Sequence, residues 1–228
     1  MTILSESDKN TLKKIFEENL KEKVNIEVYL DFENNREASE IAKELFSELK
    51  ELSDKINIEF IDLNVNDGKE KFEKNNLILD KDEASKGPII LFRDYPNIIF
   101  YGLPAGEEFP VFLEDLIHIS NKEAHLPEDV KNTIEKIDKK IDIYVFVTPT
   151  CPYCPIASHS VHMFAMTNKN IRGIVIEATE FLQLSEKFNI LAVPTIVILS
   201  DGKVLDSWEG AVSEREFAKK ILKAIEKI

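Results

Sequence analysis

Thr148-Pro149-Thr150-Cys151-Pro152-Tyr153-Cys154-Pro155 contains both cysteines of the chain. A dense apolar run at 141–147 precedes it, and Ile156, Met163 and Phe164 follow at helical spacing. The run reads as a central buried strand and the segment after it as a helix. Cys151 therefore stands where a strand hands over to a helix. Free N–H groups and the dipole at a helix N-terminus stabilise negative charge, so a thiolate at Cys151 is expected to be stabilised there. Thiolate is the attacking form in disulfide exchange. This makes Cys151 the expected nucleophile. Cys154, one turn further in and more buried, is the expected resolving thiol. Pro152 lacks an N–H and suits a first helical turn, and Tyr153 is expected to pack beside the thiols and tune access.

Further along, Val193-Pro194 opens a second apolar run, Thr195-Ile196-Val197-Ile198. An apolar residue followed by proline at the mouth of a buried strand points to a cis peptide. It also points to Val193 backbone groups left for an extended substrate segment. The plainer alternative is a trans proline starting an edge strand. The C-x-x-C upstream favours the first reading.

The same order of features occurs earlier in the chain, which reads as a degenerate tandem repeat. Gly87-Pro88-Ile89-Ile90-Leu91-Phe92 matches the block at Val193, and Ile98-Ile99-Phe100 matches Val204-Leu205 after the Asp201-Gly202 hairpin signal. Gly102 precedes Phe109 as Gly210 precedes Phe217, opening closing helices at 109–117 and 217–228. Each half starts with an amphipathic helix, on Leu12, Ile15, Phe16 and Leu20 or on Val130, Ile134 and Ile137. Pro127 stands near the start of the second of these. In the first half a strand on Ile26, Val28 and Leu30 follows, then a helix from Ile41 to Leu52 and a strand on Ile58, Phe60, Ile61 and Leu63. Ile174-Val175-Ile176 is the counterpart of the last of these. The expected fold class is α/β: two tandem thioredoxin-like folds, each a mixed sheet flanked by helices, with right-handed parallel crossovers and antiparallel hairpins. The junction falls at 120–126, dividing the chain into 1–119 and 120–228.

Composition narrows the function. The chain has 228 residues, 43% of them hydrophobic, enough for real cores. Its net charge of -13, with no cluster of Lys or Arg, argues against nucleic-acid binding. Two cysteines are too few for a secreted disulfide scaffold and leave redox chemistry or a metal site. The start, MTILSESDKNTLKK, does not read as a signal peptide, and no apolar stretch approaches the roughly 18 residues that span a bilayer. A cytoplasmic location without membrane association is the expectation. Abundant Lys and Glu with almost no Gln are compatible with a thermophilic source.

FVTPTCPYCP at 146–155, YGLPAGEEF at 101–109, FLEDLI at 112–117 and LAVPTIVI at 191–198 together resemble the two-unit protein disulfide oxidoreductases, or glutaredoxin-like proteins, of thermophilic archaea and bacteria. The resemblance runs end to end. It implies two packed thioredoxin folds and exchange of protein disulfides without a bound cofactor. It also implies a thioredoxin-reductase-type flavoprotein as electron donor. The family's typical members carry a dithiol in each unit. Here the first reads Asn34-Asn35-Arg36-Glu37-Ala38, so that unit is expected to be redox-inactive, a scaffold or docking surface.

Four other readings compete. Cys151, Cys154, His159 and His162 could ligate a metal, but a helix would separate Cys151 from His162 by about 16 Å along its axis, while zinc ligands converge at about 2.3 Å. The two histidines then read as an exposed or half-buried helix face. A tandem pair with one dead unit also resembles the N-terminal region of alkyl hydroperoxide reductase flavoproteins, which would make the partner a peroxiredoxin. A glutathione-dependent glutaredoxin is disfavoured, because Ser200-Asp201-Gly202 replaces a Gly-Gly segment. A folding scaffold with an incidental dithiol is the non-enzymatic reading. For a buried carboxylate that assists proton transfer, Glu177 is a weak candidate, read chiefly as a solvated strand end.

Overall fold

In a computed structural model describing residues 2–81, 83 and 87–228, the two halves lay down the same order of elements. The first runs α1 (Glu6–Asn19), β1 (Val24–Leu30), α2 (Arg36–Leu52), β2 (Ile56–Asp62), α3 (Asn66–Lys74), β3 (Ile89–Phe92), β4 (Tyr95–Tyr101) and α4 (Glu108–Asn121). The second runs α5 (Glu128–Ile134), β5 (Ile141–Val147), α6 (Cys154–Thr167), β6 (Ile171–Glu177), α7 (Leu182–Lys187), β7 (Thr195–Ser200), β8 (Lys203–Glu209) and α8 (Glu214–Ile225). The strands form one eight-stranded sheet in the order β2-β1-β3-β4-β6-β5-β7-β8. Within each half one pair is parallel, β1 with β2 and β5 with β6, and the hairpin strands are antiparallel. The halves meet through a parallel pairing of β4 with β6, Ile98 opposite Gly173 through Tyr101 opposite Ile176.

Because successive side chains of a strand point to opposite faces, the sheet feeds two cores. Ile26, Val28, Ile98, Phe100, Ile143 and Val145 face one side, where they meet α1, α2, α4, α5, α6 and α8. Tyr29, Ile99, Tyr101, Tyr144, Phe146 and Ile174 face the other, where Phe72 of α3 and Leu184 of α7 cover them. Strand β1 is therefore buried on both faces, Glu27 included. Glu27 is held by Tyr29 Oη at 2.6 Å and by ion pairs to Lys71 and Arg93 at 3.1 and 2.9 Å. Local signals agree with the elements they bound. Ser5 and Asp8 form a capping box on α1, and the Ser213 side chain caps α8. Asp201 and Gly202 both have positive φ, as the tight β7–β8 hairpin turn requires.

The strands, the paired long helices and the two hairpins fall close to where the sequence puts them, although α8 spans Glu214–Ile225 and not 217–228, and three further differences stand out. Helices α3 and α7 follow β2 and β6 and were not expected. Asn66–Lys74 offers one large apolar residue, Phe72, and α7 is six residues long, so neither carries a readable period. Helix α4 extends from Glu108 to Asn121. Helix α5 stops at Ile134, so Ile137 is buried from the following loop.

Phe112 of α4 is fully buried among Phe46, Phe92, Phe100 and Phe109, with ring centroids 5.3 to 6.5 Å away. Phe112→Ala should cost about 3–5 kcal/mol of folding free energy, read as a lower urea midpoint at unchanged slope. A loss below about 1 kcal/mol would show that this aromatic cluster does not hold the first core.

Candidate active site

Strand β5 ends at Val147 and helix α6 begins at Cys154, with a tight turn between them. The Cys151 N–H donates to Thr148 O at 3.2 Å, and the Cys154 N–H donates to Cys151 O at 3.3 Å. The two sulfurs form a disulfide at 2.16 Å with Cα atoms 5.4 Å apart. Cys151 keeps 7% of its surface exposed and Cys154 none. Pro155 occupies the first turn of α6, so Pro152 lies in the turn ahead of the helix and not within it. Tyr153 stands 64% exposed.

Pro194 immediately precedes β7, whose first residue, Thr195, pairs with Phe146 near the end of β5. Both Val193-Pro194 and Gly87-Pro88 are cis. Among the described residues the Val193 backbone makes no hydrogen bond. Val193 lines an open groove with Thr148, Ala178, Thr179, Leu182, Ser185 and Leu191. Leu182 and Leu191 expose 60% and 80% of their surface at its rim. The structure thus brings Val193, Pro194, Cys151 and Cys154 to one end of the sheet. Asp201 and Gly202 turn the β7–β8 hairpin at the other end of β7 from Pro194, roughly 20 Å away at strand rise.

Both histidines on α6 pair with carboxylates of α4. His162 was expected on an exposed or half-buried face and is instead fully buried, its Nδ1 2.7 Å from Asp115 Oδ2 of α4. Its ring also meets Phe100 edge-on at 4.8 Å. His159 is partly exposed and pairs with Glu114 at 3.2 Å. Among the described residues no group of three or more His, Cys, Asp or Glu side chains is placed to hold a metal ion.

Glu177 is also buried, at 4% exposure, and not a solvated strand end. Both its oxygens accept from Thr179 Oγ1, at 2.9 and 2.7 Å, and one accepts the Glu180 N–H at 2.6 Å. The carboxyl that sequence reasoning missed is Glu108, at the start of α4. It lines a small cavity with Val147, Pro149 and Glu177, behind the strand end that carries the dithiol turn. Among the described residues neither of its oxygens makes a hydrogen bond, nor does Ser158 Oγ of α6. Burial pushes its pKa up from 4.5 to about 7; Asp115 and Glu107 add to the rise, while Ser158 and His162 oppose it. The approach that buries it depends on Gly106. A Cβ there would lie 2.1 Å from Pro149 O, and the next N–H, of Glu107, donates to that same oxygen at 2.9 Å. The GEEF segment carried the only sequence signal for it, a carboxylate between a glycine and the apolar face of a helix.

Residues 140–223 match the family model described as thioredoxin domain. Over its whole length the fold is similar to a protein disulfide oxidoreductase from Aeropyrum pernix K1, with a TM-score of 0.83 at 24% identity, covering 100% of this chain and 96% of that one. It is also similar to the NTD_N/C domain of the alkyl hydroperoxide reductase AhpF from Enterococcus faecalis, with a TM-score of 0.75 at 23% identity, covering 95% and 99%. The alkyl hydroperoxide reductase AhpF of Pseudomonas aeruginosa is 26% identical over 144 residues, 62% of this chain and 27% of that protein. A Bacillus subtilis NADH dehydrogenase is 26% identical over 102 residues, 45% of this chain and 20% of that protein. The chain thus spans about a fifth to a quarter of the length of these curated relatives. At the level of fold these findings agree with the family that the motifs resemble, a tandem of thioredoxin folds. Among the described residues, no helix is long and apolar enough to cross a membrane.

The raised Glu108 pKa has a signed consequence for stability. Between pH 4.5 and about 7 the folded chain keeps a proton that the unfolded chain has lost, so stability falls as pH rises through that window. Glu108→Gln removes this penalty. At pH 8 it should be about 1–3 kcal/mol more stable, relative to wild type, than at pH 4, measured by urea unfolding at both values. An equal difference at both pH values would show that the carboxyl is ionised at no cost.

Proposed function

We propose that the chain is a thiol–disulfide oxidoreductase acting on protein disulfides through Cys151 and Cys154. The observation that carries this is the bonded pair itself, Cys151 with a little residue exposure and Cys154 with none, beside a groove whose Val193 backbone makes no hydrogen bond among the described residues. In the reducing direction the Cys151 thiolate attacks one sulfur of a substrate disulfide and releases the other as a thiolate, leaving a mixed disulfide. Cys154 then attacks the Cys151 sulfur, freeing the second substrate thiol. Two electrons pass to the substrate, and the Cys151–Cys154 bond is the oxidised product. The reverse order donates a disulfide, and the direction depends on reduction potential against the compartment. Val193 seats the substrate backbone by strand addition; Pro194, Pro152 and Tyr153 border the attacking sulfur. No cofactor enters these steps.

In this reading residues 1–119 form the redox-inactive unit and 120–228 the active one. The protein works in the cytoplasm, reduced by a thioredoxin-reductase-type flavoprotein, without nucleic-acid or membrane partners. The match to the Pseudomonas alkyl hydroperoxide reductase over 62% of the chain favours one narrower role, electron delivery to a peroxiredoxin. A peroxidase assay with a peroxiredoxin separates this from broad disulfide reduction.

Cys151→Ser should lower insulin reduction by about a thousandfold or more. Cys154→Ser should instead accumulate a mixed disulfide with substrate, visible on non-reducing gels. Insulin reduction left intact by Cys151→Ser would sink the reading.

A further inference from the structure

The first unit keeps the turn after its central strand but not the thiols. Counted from the last residues of β1 and β5, Leu30 and Val147, Asn34 stands at the position of Cys151 and Glu37 at that of Cys154. Hydrogen bonds close this turn. The buried Asp31 carboxylate accepts the Asn34 N–H at 3.1 Å, Asn34 Nδ2 at 3.0 and 3.1 Å, and Asn64 Nδ2 at 3.2 Å. The next side chain leaves the unit. Asn35 Nδ2 donates to Gly87 O at 3.0 Å and to Glu180 Oε2, in the second unit, at 3.0 Å. The other Glu180 oxygen accepts the Leu103 N–H at 2.8 Å. Both oxygens of a second-unit carboxylate are thus held by the first unit. Gly102 permits the approach: at φ +101° a Cβ there would lie 2.5 Å from the Glu177 Cβ and 3.1 Å from Glu180 Oε1.

Glu180 follows Thr179 directly and precedes Leu182 by two residues, and both of these line the groove beside Thr148 and Val193. Glu177 ties one end of this wall from within its own unit, through Thr179 and the Glu180 N–H. The Glu180 side chain ties the other end across the unit boundary.

We propose that Asn35 and Glu180 are positioning residues through which the redox-inactive unit clamps the wall of the substrate groove. This rests on the oxidoreductase reading above. The occupant is the extended protein segment around the disulfide under attack, seated on Val193 and flanked by Leu182 and Leu191. The clamp acts on a substrate that fills the groove and not on the sulfur chemistry. A small disulfide that reaches Cys151 without the groove is indifferent to it.

The test compares two substrates, insulin and hydroxyethyl disulfide. Asn35→Asp sets a second carboxylate against Glu180 and leaves Cys151, Cys154, Val193 and Pro194 untouched. It should raise the KM for insulin about fivefold to tenfold with kcat within about twofold, and change turnover of hydroxyethyl disulfide by less than about twofold. Adding Glu180→Gln to Asn35→Asp supplies a donor facing the new acceptor, and the insulin KM should return most of the way to wild type. If Asn35→Asp does not fold, Asn35→Ala, which removes the donor alone, carries the same expectation. An insulin KM unchanged in the folded variant overturns the clamp. So does an equal loss on both substrates, or a KM that the second substitution fails to recover. Wild-type protein that turns over neither substrate sinks the oxidoreductase reading, and the clamp with it. Wild-type protein active on both, with the variant indistinguishable from it, sinks the clamp alone.

Discussion

Four residues of β4 pair in parallel with four of β6, and this ladder sets the relation between the halves. A strand edge exposes a row of unpaired N–H and C=O groups that invites association with other chains. Two separate four-stranded sheets would have four such edges; the joined sheet has two, at β2 and β8. The register also decides which side chains reach which core. Ile98 and Phe100 enter one, Ile99 and Tyr101 the other, and a slip of one residue would exchange them. Once that register is set, α4 lies on α6, Gly106 abuts Pro149 and Leu103 reaches Glu180. Each of these contacts places a piece of the first unit against the loops around the dithiol.

What could be read in the sequence follows from locality. The 141–147 run was legible as a central strand because both of its faces are covered, so nearly every position is apolar. Cys151 and Cys154 were legible because a strand-to-helix turn, two thiols and their spacing all lie within a few residues. The Asp201-Gly202 hairpin was legible because its φ requirement names its residues. Partnerships across the unit boundary were not. His162 meets Asp115 at a separation of 47 residues, and nothing in either segment foretells the pairing. Glu108 and Glu177 look like ordinary surface carboxylates at element ends until α6 and the dithiol turn cover them. The placement of Pro152 and Pro155 turned on where α6 begins, and helix boundaries are the least readable feature of a sequence.

The two strand-to-helix turns show one backbone task performed by different means. In the second unit a covalent bond links positions four and seven residues past the strand. In the first, Asp31 gathers hydrogen bonds from Asn34 and Asn64 around a buried carboxylate. A turn tied this way is held by charge-assisted bonds, which are stronger than neutral ones. It contains no thiol, and the loop is closed without one.

The seam between α4 and α6 departs from what stability alone would favour. Glu108, Asp115, Ser158 and His162 are buried there, and among the described residues Glu108 Oε1 and Oε2, Asp115 Oδ1, Ser158 Oγ and His162 Nε2 make no hydrogen bond. Buried polar atoms without partners cost folding free energy, and apolar side chains of similar volume would avoid that cost. Departures from local consistency concentrate at functional sites. Here the departure sits beneath the helix that starts at Cys154 and against the turn that carries Cys151. Aliphatic and aromatic packing surrounds it, as at Phe112, Phe164 and Phe217. The seam thus sets ionisable side chains behind the disulfide, where the proposed exchange would take up and release protons.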